Sequence, residues 1–199
     1  MQDTKKDARS EQIEEAAYAV LAEKGFAGAS MLSIAKRAKC SNETMYRWYG
    51  DKVGLFRALV TRNADRVASV LRQAAAQDRA PLDVLEEFGP LLLDTLLGER
   101  AVALNRAAAA DASGTLGQTL AEAGRDTVQP LIVAVMERAI RQRAISGPAE
   151  AACDLYLSLL LGDWQIRRVV ARVPVPSADM RAARAKRAIQ GLRTLMPAT

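Results

Sequence analysis

The stretch Ser30–Lys52, SMLSIAKRAKCSNETMYRWYGDK, limits what this chain can fold into more than any other. Met31, Ile34, Ala35 and Ala38 recur at helical spacing, a few turn residues follow, and a second short helix begins after Ser41. Isolated helices below roughly 12–15 residues are marginal in water, so two this short need support from elsewhere. The second carries most of its distinctive side chains outward and therefore needs a partner to present them to. A helix-turn-helix arrangement, about residues 30–49, meets both needs.

Within the second helix, Met45 and Tyr49 lie four apart, so they share a face and should anchor it to its neighbours. That leaves Asn42, Glu43, Thr44, Tyr46, Arg47 and Trp48 wholly or partly outward. Solvated helix faces are normally rich in Lys and Glu; two aromatics beside an Arg are more typical of a binding surface. A helix N-terminus favours anions, Arg can grip guanine O6 and N7, and Asn can grip adenine. Phosphate contacts set register, while base-edge contacts specify sequence.

The flanks supply the support. Ile13, Ala16, Ala17, Val20 and Leu21 form one apolar stripe over a helix expected at Arg9–Lys24. Gly25 should end it with a positive φ, and Phe26 returns to the core. Ser30, Ser41 and Asp51 are good N-caps, the last opening a long helix from Lys52 to about Asp78. Residues 1–8 are polar and read as a flexible tail.

The net charge of +5 is moderate and neither end is a polycation, so nucleic-acid binding must rest on placed contacts. The chain has no histidine, which removes the commonest general base and the commonest transition-metal ligand. No pair of acids stands isolated on an apolar face. An enzyme is therefore not expected, nor a cofactor, nor a metal site. The two cysteines, Cys40 and Cys153, read as buried thiols in a reducing compartment. The first dozen residues lack an apolar run, so no secretory signal is expected. The best apolar run, Leu155–Leu161, is far short of the ~20 residues that span a bilayer. A cytoplasmic protein without a membrane partner follows.

The set Arg9, Ile13, Ala16-Ala17, Glu23-Lys24-Gly25-Phe26, Ser30-Met31, Ile34-Ala35, Ala38, Ser41, Thr44-Met45-Tyr46, Tyr49, Asp51-Lys52, Leu55-Phe56 resembles the N-terminal domain of TetR-family transcriptional regulators. The match runs over about residues 9–60 with the Gly-Phe, Thr-x-Tyr and Asp-Lys junctions in register. The resemblance implies that Ser30, Tyr46 and Lys52 bind DNA phosphates. It places Ser41, Asn42, Glu43, Thr44, Arg47 and Trp48 in or beside the major groove. Two residues depart from the family's pattern. Lys39 stands where Gly is usual in the turn, at a cost of about 1 kcal/mol if that backbone is left-handed. Glu43 stands where a small residue is common.

After Asp78 the chain stays helical, with breaks at Gly98, Asp111–Gly114, Ser146–Pro148 and Val173–Ser177. Helices are expected at Leu82–Leu97, Glu99–Ala110, Leu116–Ala144 (with Pro130 kinking or restarting it), Ala149–Arg172 and Ala178–Leu195. The helix around Leu155–Leu161 is apolar nearly all round, so it is buried on more than one side. Reading DNA with one short helix usually needs a dimer, and the last two helices of each chain could form a four-helix interface. Leu157, Leu161, Ile189, Leu192 and Leu195 are the candidates for it, and TetR-like proteins pair through the same two helices. The resemblance also implies an effector cavity, with Phe88, Leu92, Asn105, Met136, Tyr156 and Trp164 as candidate lining.

The expected fold is all-α with about nine helices. A tail (1–8) precedes a helix-turn-helix domain (9–56) and a larger ligand-binding and dimerisation domain (57–199). The function implied is a homodimeric regulator that reads a palindromic operator in double-stranded DNA and answers to a small-molecule effector, a repressor more often than not. An activator or a ligand-independent regulator of the same fold is the alternative. So is a helical small-molecule-binding protein without specific DNA reading.

Overall fold

The computed structural model describes residues 2–171 and 173–198. Eleven α-helices and no strand occur among them: α1 (Gln2–Gly28), α2 (Met31–Arg37), α3 (Asn42–Tyr49), α4 (Lys52–Ala75), α5 (Pro81–Leu97), α6 (Glu99–Ala109), α7 (Thr115–Leu120), α8 (Asp126–Arg141), α9 (Ala149–Leu161), α10 (Trp164–Ala171) and α11 (Ala178–Leu195). The all-α class is as expected. The two additional helices arise where single ones were expected. A π-helical turn, Ala121–Arg125, separates α7 from α8 within 116–144, and Pro130 lies inside α8 rather than starting it. Gly162, with φ 51°, separates α9 from α10, and the expected end at Arg172 lies outside the described residues.

At the other end α1 starts at Gln2, not at Arg9. Lys5, Lys6, Ala8 and Arg9 are good helix formers, so the segment expected as a tail continues the helix. Gly25 has φ 65° and ψ 176° and kinks α1 as anticipated, which turns Phe26 back onto Phe56 with ring centroids 5.7 Å apart at 83°.

Two apolar cores form, and α4 belongs to both. Leu55, Phe56, Leu59 and Val60 pack with α1, α2 and α3, together with Leu104 and Ala107 of α6. Val67 and Leu71 pack into the second core with α5, α8, α9 and α11. Each such side chain, removed from water, contributes about 1.5–3 kcal/mol. The three-helix head is thus mounted on the same rod that forms part of the body's interior.

In the body, α11 lies against α5 and α9. Ala185, Ala188, Ile189 and Leu192 form its single apolar stripe, and all four are buried within the chain itself. This corrects the expectation for Ile189 and Leu192 as interface residues: one narrow stripe cannot face the chain's own core and a second subunit together. Leu195, 62 % exposed, is the one of the three on α11 that remains outside. The α5–α11 seam is close because Gly89 has no side chain. A Cβ there would stand 2.7 Å from Ala185 Cβ and 3.1 Å from the Tyr156 hydroxyl, which donates to the Leu85 carbonyl at 2.8 Å. Gly89→Ala is expected to destabilise the fold by about 1–3 kcal/mol, read as a lowered urea midpoint with the dependence on urea unchanged.

Candidate nucleic-acid interface and the cavity behind it

The two short helices are held by caps, a shared core and one clamp. Ser30 caps α2, accepting from Ser33 N at 3.1 Å while Ser33 Oγ accepts from Ser30 N at 3.1 Å. Ser41 caps α3, accepting from Thr44 N at 3.1 Å, with its hydroxyl 2.9 Å from that of Thr44. Each such cap is worth about 1 kcal/mol. Between them the chain closes a Schellman turn: Cys40 N donates to Ala35 O at 3.0 Å and Lys39 N to Lys36 O at 3.2 Å. Lys39 takes the left-handed position, φ 52°. The Arg9 guanidinium reaches across from α1 and donates to the Lys39 carbonyl at 2.7 Å.

Met45 is fully buried and Tyr49 half-buried, so they anchor α3 to the head. Asn42, Glu43, Tyr46 and Arg47 are exposed, Tyr46 at 52 %, with Glu43 and Arg47 opposite the anchors. Thr44 is half-buried, tied to Ser41. Trp48 is half-buried as well, packed on the head's core with its ring edge-on to Tyr49 at 6.4 Å, so it borders the outward face. Glu43 lies in the first turn of α3, where a carboxylate complements the positive end of the helix. Ser30 and Ser41 are exposed.

Lys52 is placed otherwise than expected. Its ammonium donates to the carbonyls of Phe26 at 2.9 Å and Ala29 at 3.1 Å and sits 4.4 Å from the Phe26 ring centroid. It ties the start of α4 to the α1–α2 turn at the end of α1, where backbone carbonyls have acceptor capacity to spare. Two residues on, the Gly54 backbone presses on α3: a Cβ there would come 1.9 Å from the Tyr49 carbonyl oxygen. Only glycine allows α4 to start this close to the end of α3.

Behind α3, Ser10 of α1 donates to Glu14 at 3.0 Å and lies 3.5 Å from the Tyr49 hydroxyl, while Arg62 of α4 pairs with Glu14 at 2.8 Å. Burial pushes the Glu14 carboxyl up, against the Ser10 hydrogen bond and the Arg62 charge. Burial likewise pushes the Tyr49 phenol up.

On the far side of α4 a cavity of about 400 Å³ opens between α4, α5, α6, α8, α9 and the π-helical turn. Of the expected lining, Leu92 and Asn105 face it. Phe88, Met136 and Tyr156 do not; they fill the body's core. Trp164 is half-buried beneath the Arg184 guanidinium, 5.2 Å from its ring centroid. Large apolar side chains were drawn into dry contacts, and smaller ones were left around the open space. Leu157 and Leu161, expected at a subunit interface, are half-buried and line the cavity.

Of the polar lining, Asn105 was expected, while Asn63 and Gln129 were missed in the sequence. Asn63 and Gln129 both face the space. The available signal was Asn63 itself, an amide interrupting the apolar row Leu59, Val60, Ala64, Val67 of α4. Its Nδ2 donates to the Tyr18 hydroxyl of α1 at 3.2 Å, so a cavity residue is hydrogen-bonded directly to the head.

Residues 13–59 match the family model for bacterial regulatory proteins of the tetR family. Among solved structures, a TetR transcriptional regulator from Agrobacterium tumefaciens is 29% identical, with 94% of each chain covered and a TM-score of 0.73. A TetR-family transcriptional regulator from Mesorhizobium loti is 21% identical over 95% of this chain and 96% of that one, with a TM-score of 0.77. The transcriptional regulator FadR from Bacillus subtilis, solved in complex with stearoyl-CoA, is 15% identical over 91% and 96%, with a TM-score of 0.74. No curated protein sequence matches the chain significantly. No helix among the described residues is long and apolar enough to cross a membrane.

The left-handed Lys39 lends itself to measurement. Lys39→Gly is expected to stabilise the chain by roughly 0.5–1 kcal/mol, the left-handed penalty less glycine's extra unfolded-state entropy. Urea unfolding checks this.

Proposed function

The chain belongs to the TetR family of DNA-binding transcriptional regulators, and from that premise we propose that it is a homodimeric, ligand-responsive repressor of a palindromic operator. One observation carries the reading: α4 packs against α3 in its first turns and lines the cavity along its middle, from Val60 to Val67.

In this reading α3 enters the major groove. Arg47 and Asn42 read base edges, with Thr44 and Glu43 beside them, while Ser30, Ser41 and Tyr46 position the phosphates. Lys52 acts as a strut that fixes the angle between the α1–α2 turn and α4. Trp48 packs at the border of the groove. The division proposed is a head at 9–56 and a body at 57–199, in a cytoplasmic protein.

Two heads must stand about one DNA turn apart, ~34–36 Å. The surface that supports pairing is α10 and the segment after it. Ile166 (57 %) and Val170 (69 %) lie on one face of α10, with Met180 (52 %) at the start of α11. Exposed apolar groups at this density mark contact surfaces, and in the proposed seam they replace Ile189 and Leu192, which the chain's own core covers. A ligand in the cavity would bear on Asn63 and Val60 of α4, and through Asn63 on Tyr18 of α1. It shifts operator affinity only by its differential affinity for the two head arrangements. That the FadR relative was solved with stearoyl-CoA supports a small-molecule effector for this chain.

Fluorescence anisotropy on DNA flanking its own gene, across a salt series, tests the proposal. Specific binding should weaken steeply with salt. Arg47→Ala should cost about 1–3 kcal/mol and relax preference at its base position. Ile166→Asp with Val170→Asp should give monomers by sedimentation and abolish specific binding. Equal affinity for random DNA would refute the reading.

A further inference from the structure

The outermost ridge of α3 carries two opposite charges that the fold leaves unused. At about 3.6 residues per turn, Glu43 and Arg47 point most directly away from Met45 and Tyr49. They stand one turn apart, about 6 Å along the axis, and both are exposed. Ion pairs elsewhere in the head use Arg37 with Glu23, Arg62 with Glu14 and Arg100 with Glu15. Among the described residues neither Glu43 nor Arg47 enters an ion pair, with the other or with any neighbour, and neither makes a side-chain hydrogen bond.

Glu43 is not needed to start the helix. Ser41 caps α3 by accepting from Thr44 N at 3.1 Å, and the position from which a carboxylate could close a capping box holds Thr44. What remains to Glu43 locally is its place near the positive end of the helix, an effect that salt screens. Against this stands a cost. A carboxylate on a face that meets DNA is repelled by each phosphate it nears, and it loses water there. Such a residue weakens binding to every sequence unless a base offers it a donor.

The major groove offers two kinds of donor, cytosine N4 and adenine N6. Adenine sets its N7 acceptor beside N6, where it opposes the second carboxylate oxygen; cytosine sets a C5–H there. The guanine paired with that cytosine presents O6 and N7, the two acceptors that a guanidinium grips. Base pairs lie about 3.4 Å apart, so side chains one helical turn apart reach the same pair or neighbouring ones. An acid beside a guanidinium matches G·C pairs in chemistry and in spacing.

We infer that Glu43 is a base-reading residue: its carboxylate accepts from cytosine N4, and with Arg47 on guanine it selects operator half-sites that carry cytosine in, or next to, the base pair whose guanine Arg47 takes. This rests on α3 being the helix that enters the groove.

Selection from a randomised duplex library with the full-length protein, followed by anisotropy on the enriched sequence, tests it. The sequence should be two-fold symmetric, with a required cytosine in each half within one base pair of a required guanine. That outcome is read on the unsubstituted protein and needs no variant. Replacing the cytosine of one half-site by 2-pyrimidinone removes the N4 amino group and leaves the guanine opposite in place. This should weaken the unsubstituted protein at least about fivefold more than it weakens Glu43→Ala. Glu43→Ala should bind random DNA no more weakly than the unsubstituted protein, which shows that its head is folded. A role confined to the helix end predicts equal losses from the missing amino group.

A symmetric sequence without such a cytosine, or the same loss from 2-pyrimidinone in both proteins, would overturn the inference while the operator reading stands. The absence of any enriched symmetric sequence would overturn the operator reading and the inference with it.

Discussion

The structure depends on α4 being buried at both ends in different company. Its first turns are part of the head's interior through Leu55, Phe56 and Leu59, and its later turns part of the body's through Val67 and Leu71. A helix with one apolar core beneath it can pivot. One seated in two cores transmits any displacement at one end to the other, because packed interiors deform little. Lys52, between the Phe26 and Ala29 carbonyls, and Gly54, against the Tyr49 carbonyl, fix the head to the first turn of this rod. The ion pairs Arg57–Glu122 and Arg100–Glu15 bridge the head side to the π-helical turn and to α6, but on exposed surface they add little.

The head was legible in the sequence because its signals are local. Caps at Ser30, Ser41 and Asp51, the kink at Gly25, and the Met45–Tyr49 pair each follow from residue type and spacing of four or fewer. The departure at Lys39 was visible only through the family's usual Gly at that place; the structure supplies the left-handed backbone and the Arg9 contact to the Lys39 carbonyl. The carbonyl contacts of Lys52 were not legible, for the opposite reason. Whether an ammonium faces solvent or two backbone carbonyls depends on residues more than twenty positions earlier.

The body was legible as a set of helices and much less so as a site. Apolar stripes state that a face is buried without saying against what. Ile189 and Leu192 look the same in sequence whether they meet α5 or a second subunit, and Phe88 and Tyr156 the same whether they bound a cavity or fill a core. Volume decides such cases: the larger groups packed dry, and the opening was left to Leu92, Leu157, Leu161 and the amides. A polar residue inside an apolar row, such as Asn63, proved a better guide to the cavity than any aromatic.

Native-state hydrogen exchange along α4 tests the central claim most directly. If α4 is one rod shared by two cores, the amides of Leu59 and Val60 and those of Val67 and Leu71 exchange through a common opening of equal free energy. They also respond alike to low denaturant. Separate openings, with the head half of α4 exchanging at markedly lower free energy than the body half, would contradict it.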